Sequence, residues 1–276
     1  MKIAITGARG RMGTSLCAHA VRAGHEVVAI DARPPGEADA TPGGLRHVTV
    51  DVTDFDELRR SVEGCDRLVH LAAFPSPGGQ PAWRVHNDNV VGSYNALLAG
   101  AELGISHIAM ASSINATGAA FSRRPRYDYF PLDERHPTYN EDPYSLSKWV
   151  EEAQSDSIAR RYENLAISSM RLHRLVESRA GLVERIDPDN AHVRNDLWGY
   201  TTFDAASRAF LAALEVTWKG HQAFYIVAPD TCVDRPTADL LAKYYPEVPL
   251  STAFEGNQAL YRSTKAEELL GWSHDG

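Results

Sequence analysis

Tyr144 and Lys148 stand four residues apart in the stretch Tyr144-Ser145-Leu146-Ser147-Lys148. On a helix this spacing puts both side chains on one face, within reach of a single point. A free phenol ionises near pH ~10 and is a poor base at neutrality. A lysine ammonium beside it stabilises the phenolate and lowers that value. Such a pair can take a proton from a hydroxyl or return one to a carbonyl oxygen, which is the acid–base work of an alcohol–carbonyl redox reaction. Because Tyr-x-x-x-Lys also arises by chance in helices, the reading requires two further features: a dinucleotide site and a third polar group upstream.

The elements that must position the pair can be read from the sequence. Glu141-Asp142-Pro143 precedes the tyrosine. Proline fits the first helical turn, where its missing N–H is not needed, and acidic side chains suit the positive end of the helix. A helix over about 142–162 is expected. At the start of the chain, Lys2 to Thr6 reads as a buried strand, followed by Gly7-Ala8-Arg9-Gly10-Arg11-Met12-Gly13, an amphipathic helix to about Ala23, and a second strand from His25 to Ile30 that ends at Asp31. Strand, glycine-rich turn, helix, strand and acid form a dinucleotide-binding unit. Gly7, Gly10 and Gly13 permit the tight turn and let backbone N–H groups and the helix N-terminus meet a pyrophosphate. Asp31 is placed to accept hydrogen bonds from the adenosine ribose and would repel a 2′-phosphate, so NAD is favoured over NADP. Arg33, two residues on, can soften that preference.

The alternation continues. Strands are expected at His47–Val50, closed by Asp51-Val52, at Arg67–Ala73, at His107–Ala111, closed by Ser112-Ser113, and at Leu165–Arg171. Helices are expected from Asp54 and over about Ala82–Gly104, with a Pro/Gly loop at 74–81. Strands alternating with helices imply an α/β fold with a doubly wound parallel sheet. Beyond Arg171 the pattern weakens. Leu172 to Thr202 has little periodicity, then a helix is expected at Asp204–Val216, a strand at Ala223–Val227, and short helices at Arg235–Tyr244 and Ser263–Leu270. The expected division is a nucleotide-binding domain over 1–171 and a smaller substrate-binding part over 172–276 that returns elements to the sheet.

The 276 residues carry a formal net charge of −8, which disfavours nucleic acid or an anionic membrane as partner. Three scattered cysteines, Cys17, Cys65 and Cys232, give neither a disulfide framework nor a zinc site, and no metal is expected. The chain runs directly into an apolar strand and has no apolar stretch long enough to span a bilayer, so a cytoplasmic location is expected.

Taken together, Thr6-Gly7-x-x-Gly10-x-x-Gly13, Asp31, Asp51-Val52, Leu71-Ala72-Ala73, Asn89-Val90-x-Gly92-Ser93, Ser112-Ser113 and Tyr144-x-x-x-Lys148 resemble the extended short-chain dehydrogenases/reductases in order and spacing. These are also called the NAD-dependent epimerase/dehydratase family, with a Rossmann-type fold. The resemblance implies that Ser113 hydrogen-bonds the reacting oxygen, Tyr144 exchanges its proton, Lys148 holds the nicotinamide ribose and Ser112 is structural. It implies NAD contacts from Gly7, Arg9, Gly10, Arg11, Met12 and Gly13 in the first turn, and from Asp31, Arg33, Asp51 and Val52 at the next two strand ends. Further contacts would come from Leu71, Ala72, Ala73, Asn89, Ala111 and His173. Family members commonly dimerise through their two long helices, and a homodimer is expected.

After Arg171 the chain has Leu172-His173-Arg174, unlike nucleotide-sugar enzymes. The segment Arg194-Asn195-Asp196-Leu197-Trp198-Gly199-Tyr200-x-x-x-Asp204 is closer to uronate dehydrogenases, whose arginine binds the sugar carboxylate. This likeness implies substrate contacts from Arg194, Trp198 and Tyr200, joined by Ser76, Ser113 and Asn115. The expected activity is hydride transfer between NAD and a small sugar, uronate-like sugar acid or polyol. The alternatives are a sugar or nucleotide-sugar epimerase with retained NAD, and a non-catalytic NAD-sensing regulator on the same fold.

Overall fold

A computed structural model describes residues 1–36 and 43–276. Its centre is a sheet of seven strands, all paired in parallel. In chain order the sheet and its first helices are β1 (Lys2–Thr6), α1 (Arg11–Arg22), β2 (Glu26–Asp31), β3 (Leu45–Thr49), α2 (Phe55–Val62), β4 (Arg67–His70), α3 (Ala82–Glu102) and β5 (His107–Met110). A 3-10 turn over Ile114–Thr117 follows, then α4 (Pro143–Arg161) and β6 (Ala166–Leu172). The remainder comprises β7 (Leu175–Val176), α5 (Arg179–Val183), α6 (Ala191–Asn195), β8 (Thr201–Thr202), α7 (Phe203–Ala213), β9 (Gly220–Ile226), α8 (Thr237–Tyr244) and α9 (Thr264–Leu270).

The sheet order is β3-β2-β1-β4-β5-β6-β9. From β1 the chain first moves outward through β2 and β3, then returns to the other side through β4. The carboxyl ends of β1 and β4 therefore flank the topological switch point, where doubly wound sheets bind ligands. Both faces of the sheet are covered. Successive strand side chains point to opposite faces, so Ile3 and Ile5 join Leu16, Phe210 and Phe224 in one buried cluster. Ala4 lies on the other side, in a cluster with Val28, Leu58, Leu97 and Ile108.

Helix α4 starts as its sequence dictates. Asp142 caps it, its Oδ1 accepting from the N–H groups of Tyr144 (3.0 Å) and Ser145 (2.9 Å), with Pro143 in the first turn. The C-terminal third is more ordered than its weak periodicity suggests. Strand β9 starts at Gly220, earlier than expected, because the half-buried Gly220-His221-Gln222 pair with β6 without forming an apolar run. Helices α5 and α6 have five residues each, too few for a repeating apolar face to register in the sequence. A third buried cluster, including Phe130, Trp198, Tyr200, Tyr225, Leu240 and Tyr261, fills the space beneath this region. Among the described residues, no helix is long and apolar enough to cross a membrane.

Candidate active site

The glycine turn is built for close approach. Gly7 has φ +66, a conformation L side chains rarely adopt, and a Cβ there would lie 2.7 Å from the Ala72 N. A Cβ at Gly13 would drive into the Gly7 carbonyl and Ala8, so its bareness lets α1 start tight against the turn. At the end of β2, Asp31 Oδ2 accepts from the Arg9 N–H (2.9 Å), and Oδ1 from the N–H (3.0 Å) and Nε (3.2 Å) of Arg33. Burial opposes ionisation of Asp31, but the hydrogen bonds from Arg33 and Arg9 outweigh it and hold the carboxyl below its ordinary range. Asp31 and Arg33 line a cavity with Gly7, Gly10, Asp51, Val52, Leu71, Ala72, Ala73 and Asn89. Asn89 fixes its far wall: Oδ1 accepts from the Phe74 N–H (2.8 Å), and Nδ2 donates to Ser147 Oγ (3.0 Å), tying α3 to α4. Arg11 instead lies over the Phe203 ring, 4.7 Å from its centroid, and lines neither this cavity nor the next.

A second cavity of about 360 Å³ shares Leu71, Ala73 and Pro75 with the first. Its lining brings together Met12, Ala111, Ser113, Asn115, Tyr144, Lys148 and His173, from four separate segments. Ser113 caps the 3-10 turn, accepting from the N–H (3.1 Å) and Nδ2 (3.3 Å) of Asn115. Ser112 turns the other way and donates to Glu152 Oε1 (2.6 Å), which is itself paired with Arg171. Lys148 Nζ donates to the Ala111 carbonyl (2.5 Å) and to Glu151 Oε2 (2.8 Å). Burial raises the Tyr144 phenol; Lys148 and the Ser113 hydroxyl pull it down, Glu151 opposes them, and it stays above its ordinary value. The lowering expected from Lys148 is thus present, but burial outweighs it. His173, buried, accepts from the Arg174 N–H and is engaged through Nε2 by the Asp196 carbonyl (2.7 Å); burial pushes it down to about 3, so it is neutral.

Four expected substrate contacts do not reach the cavity. Trp198 is fully buried, its Nε1 donating to the Pro188 carbonyl (2.9 Å), and the tight turn that seats it gives Leu197 and Trp198 positive φ. Tyr200 is buried and donates to Asp230 Oδ1 (2.7 Å). The guanidinium of Arg194 lies over the Tyr244 ring, 5.1 Å from its centroid, and Ser76 lines neither cavity. These aromatics are core, because the segment that carries them folds over its own hydrophobic cluster. Arg174, His192, Asp196 and Phe121 take their place in the lining. Arg174 Nη2 pairs with Asp196 Oδ2 at 2.5 Å, and burial pushes the Asp196 carboxyl up to about 7 despite that partner. Phe121 packs edge-on to Tyr144 and beside His192, with centroids 5.7 and 5.4 Å away. Arg174 was visible in sequence as a charge just past an apolar strand; nothing in sequence marked His192 or Phe121.

The two cavities form one groove across the switch point. The bare Gly7 and Gly10 and the Asp31 carboxylate in one cavity, and the Lys148 ammonium in the other, fit a dinucleotide laid along the groove. The fold is thus of the doubly wound Rossmann type, with its groove at the switch point. Residues 3–190 match the NAD dependent epimerase/dehydratase family, and the chain belongs to that family. The family is NAD dependent. A stretch of 113 residues is 37% identical to an L-arabinose 1-dehydrogenase (NAD(P)(+)) of Haloferax volcanii, covering 41% of each chain. The chain therefore spans less than half the length of that relative. Two solved structures share the fold over 99% of the chain. A UDP-glucose 4-epimerase of Thermotoga maritima does so with TM-score 0.73 and 21% identity, over 94% of its own length. A uronate dehydrogenase of Agrobacterium tumefaciens does so with TM-score 0.69 and 17% identity, over 83% of its length.

Proposed function

We propose that the protein is an NAD-dependent oxidoreductase that moves a hydride between the nicotinamide and a hydroxyl-bearing carbon of a small sugar, sugar acid or polyol. The observation that carries this reading is the convergence of Ser113, Tyr144 and Lys148 on the cavity that continues the dinucleotide groove. In the oxidative direction the Ser113 hydroxyl holds the reacting oxygen, and the Tyr144 phenolate takes its proton. Lys148 stabilises that phenolate and donates to the nicotinamide ribose. Bound NAD supplies the hydride acceptor.

Arg174, His192 and Asn115 are the polar groups that face the rest of the substrate. Arg174 is braced by Asp196, and the two together offer donors and an acceptor, the pattern that vicinal hydroxyls satisfy. The test is a panel of aldoses, uronates and polyols with NAD, read by NADH absorbance. Net NADH on a monosaccharide supports the reading. Sugar interconversion without net NADH, by protein that retains NAD on purification, replaces it with an epimerase.

Assembly follows from the outer face of the two long helices. Val91 and Tyr94 on α3 and Leu146 and Trp149 on α4 are exposed, and Trp83, at the start of α3, is 66% exposed. A second copy packed helix to helix would cover this apolar strip.

A further inference from the structure

The Ser113/Tyr144/Lys148 reading gives no task to the buried acid paired with Lys148. Glu151 lies on α4, three residues beyond Lys148, and its Oε2 accepts from the Lys148 ammonium at 2.8 Å. The two side chains are 5% and 3% exposed, and Glu151 Oε1 is buried with no hydrogen-bond partner. We propose that Glu151 is a positioning residue for proton transfer: it fixes the direction of the Lys148 ammonium, and its charge sets the pH at which Tyr144 acts as a base. This rests on the role given to Tyr144 and Lys148 above.

The geometry supports both parts. A lysine ammonium has three N–H donors. The Ala111 carbonyl takes one, at 2.5 Å, and Glu151 takes a second. One is left for the nicotinamide ribose, and the two anchors decide where it points. Stability asks only that the buried Lys148 ammonium have a partner, and replacing both charges by apolar groups would serve the fold as well. A half-satisfied buried carboxylate itself costs free energy. The anchoring of α4 to the sheet is already supplied by Glu152, whose two oxygens engage Arg171 of β6 at 2.9 and 2.7 Å.

The electrostatic part follows from the surroundings. On α4, Lys148 is the cation against Glu151, with Tyr144 on the far side of that cation and Glu152 next in sequence. From β4, His70 is buried and hydrogen-bonded to Thr6 (2.8 Å); burial and the Lys148 charge keep it neutral, down to about 3. From β6 and β9, Arg171 and His221 act on Glu152. Helix α3 meets α4 through the uncharged Asn89 and Ser93, while its Arg84 pairs with Asp88 and its Glu102 with Arg59. Glu152 is the remaining charge that acts on both Lys148 and Glu151, raising each. When Glu151 is ionised it opposes the Lys148 charge as felt by the phenol, though less strongly than Lys148 acts. Burial raises the Glu151 carboxyl to about 7, against the pull of Lys148 and with Glu152 adding to the rise.

The experiment is an ultraviolet phenolate titration of the full-length protein without cofactor. Subtracting the Tyr144→Phe variant isolates Tyr144. The same subtraction is then made in a Glu151→Gln background. The expected result is a Tyr144 midpoint about one pH unit lower in Glu151→Gln, or about tenfold more phenolate at a given pH. The ascending limb of kcat/KM for sugar oxidation should move the same way. An unchanged or higher midpoint overturns the proposal. Glu151→Leu, isosteric enough to pack and equally uncharged, gives the same readout if the Gln variant does not fold. The titration needs no substrate. A shifted midpoint in a protein that oxidises no sugar would leave this inference standing and remove the proposed activity; activity without the shift would do the reverse.

Discussion

Removing the charge of Glu152 should destabilise the fold by much more than its position beside a functional lysine suggests. Its Oε1 accepts from Arg171 Nε (2.9 Å) and Ser112 Oγ (2.6 Å), and its Oε2 from Arg171 Nη2 (2.7 Å). Both side chains of the ion pair are under 10% exposed. The pair thus ties α4 to β6 and to the strand end that carries Ser113. Glu152→Gln keeps the shape but strands a buried guanidinium, a change that costs about 3–5 kcal/mol. With a urea slope of about 3 kcal/mol/M for a chain of this size, the unfolding midpoint should fall by about 1–2 M. The pH dependence gives a second check. Burial raises the Glu152 carboxyl, but Arg171 and Ser112 outweigh it and hold the group below its ordinary range. A depressed folded-state value means that the stabilisation is fully present above the unfolded value and is lost as pH falls through the folded one. The gap between wild type and variant should stay constant from pH 6 to 8 and narrow below about pH 4. Urea unfolding followed by circular dichroism at several pH values measures this. A loss under about 1 kcal/mol at neutral pH, or a gap that widens in acid, would refute the reasoning.

Three further outcomes are expected. Asp31→Ala should weaken NAD and improve NADP, narrowing the preference by about 1–3 kcal/mol, because the acid that would face a 2′-phosphate is gone while Arg33 stays; titration of both cofactors reads it. Arg174→Lys should raise KM for the panel's best sugar about tenfold or more by losing the planar fork, whereas Arg194→Lys should leave it unchanged; steady-state kinetics compares the two. The protein should run as a dimer in light scattering at micromolar concentration, and Trp149→Glu, on the exposed strip of α4, should shift it toward monomer.

Much of the nucleotide half was legible because its signals are local. Gly7 and Gly13 are fixed by backbone contacts inside one turn, Asp31 by its place at a strand end, and Tyr144 with Lys148 by helical spacing behind a Pro143 start. Leu71, Ala73 and Ala111 line the groove because they close strand ends that an apolar run predicts. The substrate end was not legible in the same way. Trp198 and Tyr200 looked like pocket residues because their segment lacks periodicity, yet short α5 and α6 fold that segment over a core of its own. Arg194 is drawn onto the Tyr244 ring by the same packing. Arg174 meets His192 and Asp196 only through tertiary contact, 18 and 22 residues on along the chain, which no spacing rule reaches. Glu151 was hidden differently: beside Glu152 it reads as one of two ordinary surface acids, and only the fold shows that both are buried.

The central claim is that Tyr144 exchanges the substrate proton at an NAD site. The direct measurement is NADH formation on the best sugar of the panel by wild type and Tyr144→Phe, with NAD affinity determined for both. The account predicts a fall in turnover of about 10²–10⁴-fold with NAD affinity within about twofold of wild type. Retention of most turnover by Tyr144→Phe would contradict it.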